Sequence, residues 1–488
     1  MLGNRLTKGL GFLLCVSATA TAALPDVAVT NNTVYIQQAK QLCVKGKPCV
    51  KHPSNIKVRH IIVEGYHTAL LDYYTQKIVQ DDDYYDPYEN AKYTYLANNW
   101  VPGVSYQNSL QPTSQPDVYD LINQSTISHF GGYANINNQN SSEYGYVSGG
   151  GGLYYNDIFG GDKLSVNGSS SVNTNSNYAS TSYQKELGTY GTQLVATFTY
   201  NGTGPQNTGV YNYDGYGLTY NIAAVQPFYI SEVTNLALTG GYSLVESNTN
   251  AFLEYNPAQS YPDGPPNPVV YSSQEINQQL PTIYTQLDFS HTYSCGNFWG
   301  FMRVASVSYY GIPAIYNSVG GVQDTTNPTP AASPSLNTFL VYGNYNQVVN
   351  LPKNVSFYFG ANAQVTPTDA LPSAQQFVYS DGPFVDQAYV GDYGISGRAE
   401  PRYDLPINTT WLQKLQWYAF YGGAYLVNTT TIFVPYKSAQ ATDAGFGVRG
   451  YFGHNINGYV EADKPLSETA VSGVYNGWQG FFSLGVQF

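Results

Sequence analysis

The chain is short of charge. Lys, Arg, Asp and Glu make up 11% of its 488 residues, where a soluble globular protein carries about 25%. That deficit argues against an ordinary water-soluble surface. The formal net charge of −12 and a pI near 4.8 leave nucleic acid out as a partner, because phosphate binding needs a basic surface. Cysteine is scarce, with four in all, and methionine scarcer, with two. No run of 18 apolar residues occurs beyond the first twenty or so positions, so no spanning helix is available there. If the chain crosses a membrane, it does so as a closed barrel, the other way to satisfy every backbone polar group in lipid.

What fills the gap is tyrosine and glycine, 48 of each, with abundant Asn, Ser and Thr. Hydrophobic residues reach 42% although the mean hydropathy is −0.28. This suits a wall that is apolar on its lipid side and polar but uncharged on the other. A secreted β-solenoid or adhesin shares the composition, and composition alone does not separate the two.

The N-terminus reads as a secretory signal. Arg5 and Lys8 precede the short apolar stretch Leu10 to Val16, and Ala20-Thr21-Ala22 offers a small-residue cleavage site. Residues 1–22 are therefore expected to be a signal peptide. Cys15 lies inside it, and Leu14 before it does not fit a lipoprotein site.

From about residue 125 the periodicity is that of strands. Val355, Phe357, Phe359, Ala361, Ala363 and Val365 alternate with polar or small residues, as do Ile283, Thr285, Leu287 and Phe289, and Leu194, Ala196, Phe198 and Tyr200. A soluble sandwich would show the same alternation. Segment length favours a membrane, since the segments run about 10–14 residues against about 5–6 in soluble sheets. About 16 strands are expected, an even number as single-chain barrels require. Their starts fall near 125, 144, 162, 178, 191, 210, 235, 281, 297, 336, 354, 391, 414, 441, 456 and 478. Residues 248–280 and 311–335, rich in Pro, Asn, Gly and Ser, read as extracellular loops, and Ser294-Cys295-Gly296-Asn297 as a periplasmic turn. The last strand places Phe482, Leu484, Val486 and Phe488 on one face and ends on an aromatic.

Residues 23–124 differ. Val58 to Gly65 reads as a strand. Ala69 to Val79 has helical spacing, and Pro87 to Trp100 reads as a second helix with proline at its first turn. Short extended segments follow, giving a small α+β order over 57–124 after an extension at 23–56. Cys43 and Cys49 enclose five residues, and in an oxidising compartment a local disulfide is expected, with metal binding the lesser alternative. Cys295 is then left unpaired. His52, His60, His67, His129, His291 and His454 form no Ser/His/acid pattern. Asp81-Asp82-Asp83 with Asp86 and Glu89 lacks an EF-hand pattern and reads as a solvated acidic loop. Neither catalysis nor a cofactor is implied.

Several stretches, in chain order, resemble the TpsB transporters of two-partner secretion, a branch of the superfamily containing BamA. Lys92 to Trp100, then Pro102-Gly103-Val104 and Leu110-Gln111-Pro112, is similar to the end of a periplasmic POTRA domain. Gly160-Gly161-Asp162-Lys163-Leu164 is similar to the turn opening the family's third barrel strand. Tyr183 to Gly188, with Glu186 where proline is usual, and Gly191-Thr192 are similar to the hairpin that follows it. Leu371 to Phe377, Gly382 and Gly391-Asp392-Tyr393-Gly394 resemble the loop that folds back into the barrel in this family.

The resemblance implies an all-β transmembrane barrel with a POTRA-like domain. It implies an outer-membrane location, a secreted exoprotein of haemolysin or adhesin type as substrate, and contact with the barrel-assembly machinery and with lipid. The aromatic C-terminus, at Phe482, Leu484, Val486 and Phe488, would be the assembly signal. The loop near 369–390 would gate the pore through Phe384, Val385, Asp386, Gln387, Tyr389, Gly391 and Asp392. Two departures stand out. Gln387 occupies the place of the family's loop arginine, and Gly422 the place of its lumen-facing aspartate. Val448-Arg449-Gly450-Tyr451 matches the family's loop signature literally but falls on a late strand. One domain fits into residues 57–124, where the family usually has two. A passive porin or surface-interaction barrel descended from the same fold is the alternative reading.

Overall fold

A computed structural model of the chain describes residues 55–488 apart from 80–82, 140–145, 174, 205–210, 232, 256–269, 309, 320–321, 325–336, 367–370, 372–374, 380–381, 385–388, 408, 430–436, 454 and 470–476. The expected signal peptide, Cys43, Cys49 and His52 lie outside the described residues.

The N-terminal unit runs β1 (Lys57–Gly65), α1 (Ala69–Lys77), α2 (Pro87–Trp100), β2 (Val104–Pro112) and β3 (Val118–Ile127). Both helices start where their caps put them. The Thr68 hydroxyl accepts from Leu71 N, and the Asp86 carboxylate accepts from Tyr88 N and Glu89 N, with Pro87 at the first helical position. Asp86 thus caps a helix, and Glu89 pairs with Lys92 at 2.9 Å. β3 lies in the middle of the sheet, parallel to β1 and antiparallel to β2. The helices cover one face, burying Leu71, Tyr74, Ile78, Leu96 and Ala97 against Tyr106 and Leu121.

The remainder is a closed antiparallel barrel of 16 strands. They are β4 (Phe130–Asn137), β5 (Ser148–Asn156), β6 (Asp162–Ser171), β7 (Ser176–Leu187), β8 (Thr192–Thr203), β9 (Tyr211–Ile230), β10 (Thr234–Tyr255), β11 (Val270–Tyr293), β12 (Gly296–Ser308) with its continuation β13 (Tyr310–Val319), β15 (Asn337–Leu351), β16 (Val355–Val365), β19 (Tyr393–Leu405), β20 (Leu412–Val427), β21 (Ser438–Phe452), β22 (Ile456–Thr469) and β23 (Gln479–Gln487). β12 and β13 pair with successive parts of β11 and act as one strand, while β14 (Val322–Asp324) is a short return hairpin on β13.

β23 closes the wall onto β4 along Ser483–Gln487 and Tyr133–Asn137. Beyond it, Phe488 N donates to Gly132 O at 3.0 Å and Gly132 N donates to Phe488 O at 2.9 Å. Leu484, Val486 and Phe488 are exposed on the outer face, with Phe482 half-buried. The alternating apolar faces point outward all round the barrel. Ile283, Val365, Trp417, Phe446 and Val460 are each at least half exposed there. The lumen side carries Ser356, Gln364 and Gln416. An apolar exterior on a closed barrel is stable only in lipid, so the chain is an outer-membrane barrel.

Three expectations need correction. β10 and β11 run 22 and 24 residues, so 248–255 and 270–280 are strand, and 310–319 is strand as well. Polar residues fall on both faces over 246–250 and 272–279, which marks wall that rises beyond the lipid. The first barrel strand begins at Phe130, because the alternation read from 125 includes the end of β3 in the N-terminal sheet. Cys295, in the tight turn between β11 and β12, is disulfide-bonded and not unpaired.

Candidate functional site in the barrel lumen

Between β16 and β19 the chain does not simply loop outside. It enters the barrel and forms a two-stranded ribbon, β17 (Phe377–Tyr379) against β18 (Tyr389–Gly391), with a 3-10 turn at Gly382–Phe384. Phe377, Tyr379, Phe384 and Tyr389 pack on Ala424 and Leu426 of β20 and Ala439 and Ala441 of β21. Alanines on the wall leave the depth that the aromatic rings fill. Phe384 and Tyr389 are fully buried, their rings 5.6 Å apart in an edge arrangement. Leu371, also fully buried, packs on Ala223, Tyr284, Ala305 and Leu340 of β9, β11, β12 and β15. The segment therefore reaches walls on both sides of the lumen. Each such side chain contributes about 1.5–3 kcal/mol by leaving water.

Asp392 pins the root of the segment. Its carboxylate accepts from Leu371 N at 2.8 Å, Gln376 Nε2 at 3.4 Å, Thr429 N at 2.7 Å and Thr429 Oγ1 at 2.6 Å. Gln364 of β16 donates to Gln375 O and Asp392 O, and Asn428 donates to Val390 O. Both ends of the segment are thus tied to each other and to the loop after β20. Of the residues expected to gate, Phe384, Tyr389, Gly391 and Asp392 are buried in this cluster. Val385, Asp386 and Gln387 lie outside the described residues.

The lumen acid expected to be missing is supplied by the next strand. Gly422 pairs in register with Asp443 of β21, and a Cβ at Gly422 would lie 2.7 Å from Asp443 Oδ1. The glycine makes room for that carboxylate. The Tyr379 hydroxyl of the in-folded segment donates to Asp443 Oδ1 at 2.9 Å. Asp463 of β22 lies beside it, fully buried.

A second cluster fills the wall toward the periplasmic end. Glu400 accepts from Arg398 Nε at 2.8 Å, Arg402 Nε at 2.9 Å, and Arg449 Nη1 and Nη2 at 3.0 and 3.1 Å. Arg398 also reaches Glu461 at 2.6 Å, and Tyr418 donates to Glu461 at 2.8 Å. Arg398 and Arg449 stack over Phe420 and Tyr418, 3.6 and 3.9 Å from the ring centroids. Arg449 is therefore a wall residue on β21, bound to Glu400 of β19 and stacked on Tyr418 of β20. Spacing in the sequence did not reveal Glu400, because the cluster around it draws on four strands, β19 to β22.

The N-terminal unit docks on the turns at the opposite rim from the long loops. The Tyr66 hydroxyl donates to Asp157 Oδ1 in the β5–β6 turn at 2.6 Å. Burial, and then that bond, push the Tyr66 hydroxyl above the usual tyrosine range. Gln193 Nε2 donates to Trp100 O at 2.9 Å, and the Tyr95 hydroxyl and Asn235 side-chain amide are 2.9 Å apart. Ile230 of β9 joins the core of the N-terminal unit. The two motif stretches around 160 and 183 also meet, Tyr183 donating to Asp162 Oδ2 at 2.7 Å.

A closed barrel with an apolar exterior, an in-folded lumen segment and a small α+β unit at one rim defines a class of outer-membrane barrels. The solved structures that share this fold include CdiB from Escherichia coli, with a TM-score of 0.63 at 16% identity over 89% of this chain and 77% of that one. They also include CdiB from Acinetobacter baumannii, with a TM-score of 0.58 at 14% identity over 89% of this chain and 74% of that one. The fold is thus the one that the resemblance to TpsB transporters implied. No family model matches the sequence, and no curated protein matches it.

Proposed function

We propose that this chain is an outer-membrane protein translocator that exports a partner exoprotein through its barrel, with the in-folded segment 369–390 as the gate. The observation that carries the reading is the packing of Phe377, Tyr379, Phe384 and Tyr389 on the β20–β21 wall inside the lumen. A passive porin has no need of an aromatic plug rooted at both ends. The N-terminal unit, POTRA-like in its β-α-α-β-β order, offers two sheet edges, β1 and β2, to which an extended substrate can add a strand. Its dock on the rim would deliver the bound segment to the lumen mouth. No nucleotide is at hand in the periplasm, so folding of the substrate outside would drive export. The residues Phe482, Leu484, Val486 and Phe488 would present the closing strand to the barrel-assembly machinery. Comparing the proteins released by a deletion strain and its parent tests the reading. Loss of one large secreted protein, restored by the intact gene, supports export; an unchanged secreted set contradicts it and favours the porin.

A further inference from the structure

The in-folded segment meets the lumen wall at two buried acids, Asp443 and Asp463. Residues 366–392 contain Asp369, Asp381, Asp386 and Asp392 and no Lys, Arg or His. Where the Gly382–Phe384 turn meets the wall it faces Asp443 and Asp463. Both carboxylate oxygens of Asp463 are buried, and neither has a hydrogen-bond partner. The turn presses directly on this group, for a Cβ at Gly382 would run into Asp463 Oδ2 and lie 3.6 Å from Asp443 Oδ2. Gly382 has φ +53°, which keeps its backbone close to both acids. The nearest wall arginine, Arg398, is engaged by Glu400 and Glu461, and Arg402 and Arg449 bind Glu400. A buried carboxylate with no donor is costly to leave uncompensated.

We propose that Asp463 and Asp443, with backbone oxygens of the Gly382–Phe384 turn, hold a hard divalent cation that ties the in-folded segment to the β21–β22 wall. Oxygen-only ligands, two of them carboxylates, suit calcium or magnesium over the softer transition metals. Water would complete the shell, as both ions accept. The cation would take the place between segment and wall that the family resemblance gives to a loop arginine, here Gln387. This inference concerns binding and stands whether or not the barrel exports protein.

The test is calorimetric titration of calcium into the refolded full chain in detergent, stripped of divalent ions with EDTA, at neutral pH. One saturable site per chain is expected, weakened about tenfold or more in Asp463→Asn and unchanged in Glu64→Gln in the N-terminal unit. Heat-modifiable migration on a gel shows that each variant has closed its barrel. Should Asp463→Asn fail that check, Asp443→Asn carries the same comparison. Absence of a saturable site in the parent chain, or parental affinity in the folded variant, overturns the proposal; the first result would mean that a proton, not a metal ion, neutralises Asp463.

Discussion

Gly422 and Asp443 face each other across the β20–β21 ladder, and the absence of a side chain at one is what admits the carboxylate of the other. The Tyr379 hydroxyl of the lumen segment closes this arrangement by bonding to Asp443. Replacing Gly422 with valine should push the carboxylate aside and break that bond. The cost is on the order of 1–3 kcal/mol for overpacking, borne by the segment more than by the barrel. Limited proteolysis of the purified protein should then cut within 369–390 faster than in the parent, while the barrel still migrates as a folded species. Equal cleavage rates would contradict the role given to this pair.

Asp392 is the residue on which both ends of the segment converge. Asp392→Ala leaves the buried Leu371 N and the partly buried Thr429 N without their acceptor. Each stranded donor costs about 1–3 kcal/mol. The segment should loosen without unfolding the barrel, and bilayer recordings should show more frequent openings than in the parent. Asp392→Asn, which keeps one acceptor oxygen, should fall between the two.

Glu400 binds three guanidinium groups while almost fully buried. Removing it leaves three cations crowded in the wall, at about 3–5 kcal/mol for a broken buried pair, less what the wet lumen screens. Glu400→Ala should lower the temperature at which the barrel loses its heat-modifiable migration. Arg449→Ala should do so to a lesser degree, since Arg398 and Arg402 remain. An Arg449→Ala chain with unchanged barrel stability and no secretion would contradict its assignment as a wall residue.

Cys295 should resist alkylation in native protein and become reactive only after reduction. Peptide mapping by mass spectrometry under non-reducing conditions checks this and identifies which of the other cysteines it meets. A Cys295 that is alkylated without reduction would contradict the bond.

Much of the barrel was legible because lipid writes a period of two on every strand it touches. The expected starts at 162, 191 and 456 fall within a residue or so of β6, β8 and β22. Where strands rise past the lipid the signal vanishes, so Asn248, Thr249 and Asn250 read as loop although they pair with Asn277, Ile276 and Glu275. The position of the in-folded segment was legible through Leu371, Gly382 and Gly391-Asp392. Its acidic partner was not. Register between neighbouring strands decides that Asp443 faces Gly422, and nothing local to either residue states that register. The bond at Cys295 is likewise a meeting of distant segments that spacing along the chain does not disclose.

The gate is the centre of this account, and planar-bilayer conductance tests it most directly. The refolded full chain should be compared with a version lacking residues 369–390. A low, flickering conductance that becomes large and steady on deletion is the predicted result. A steady, open conductance in both would contradict it, for the segment would then not close the pore, and the barrel would be a passive channel.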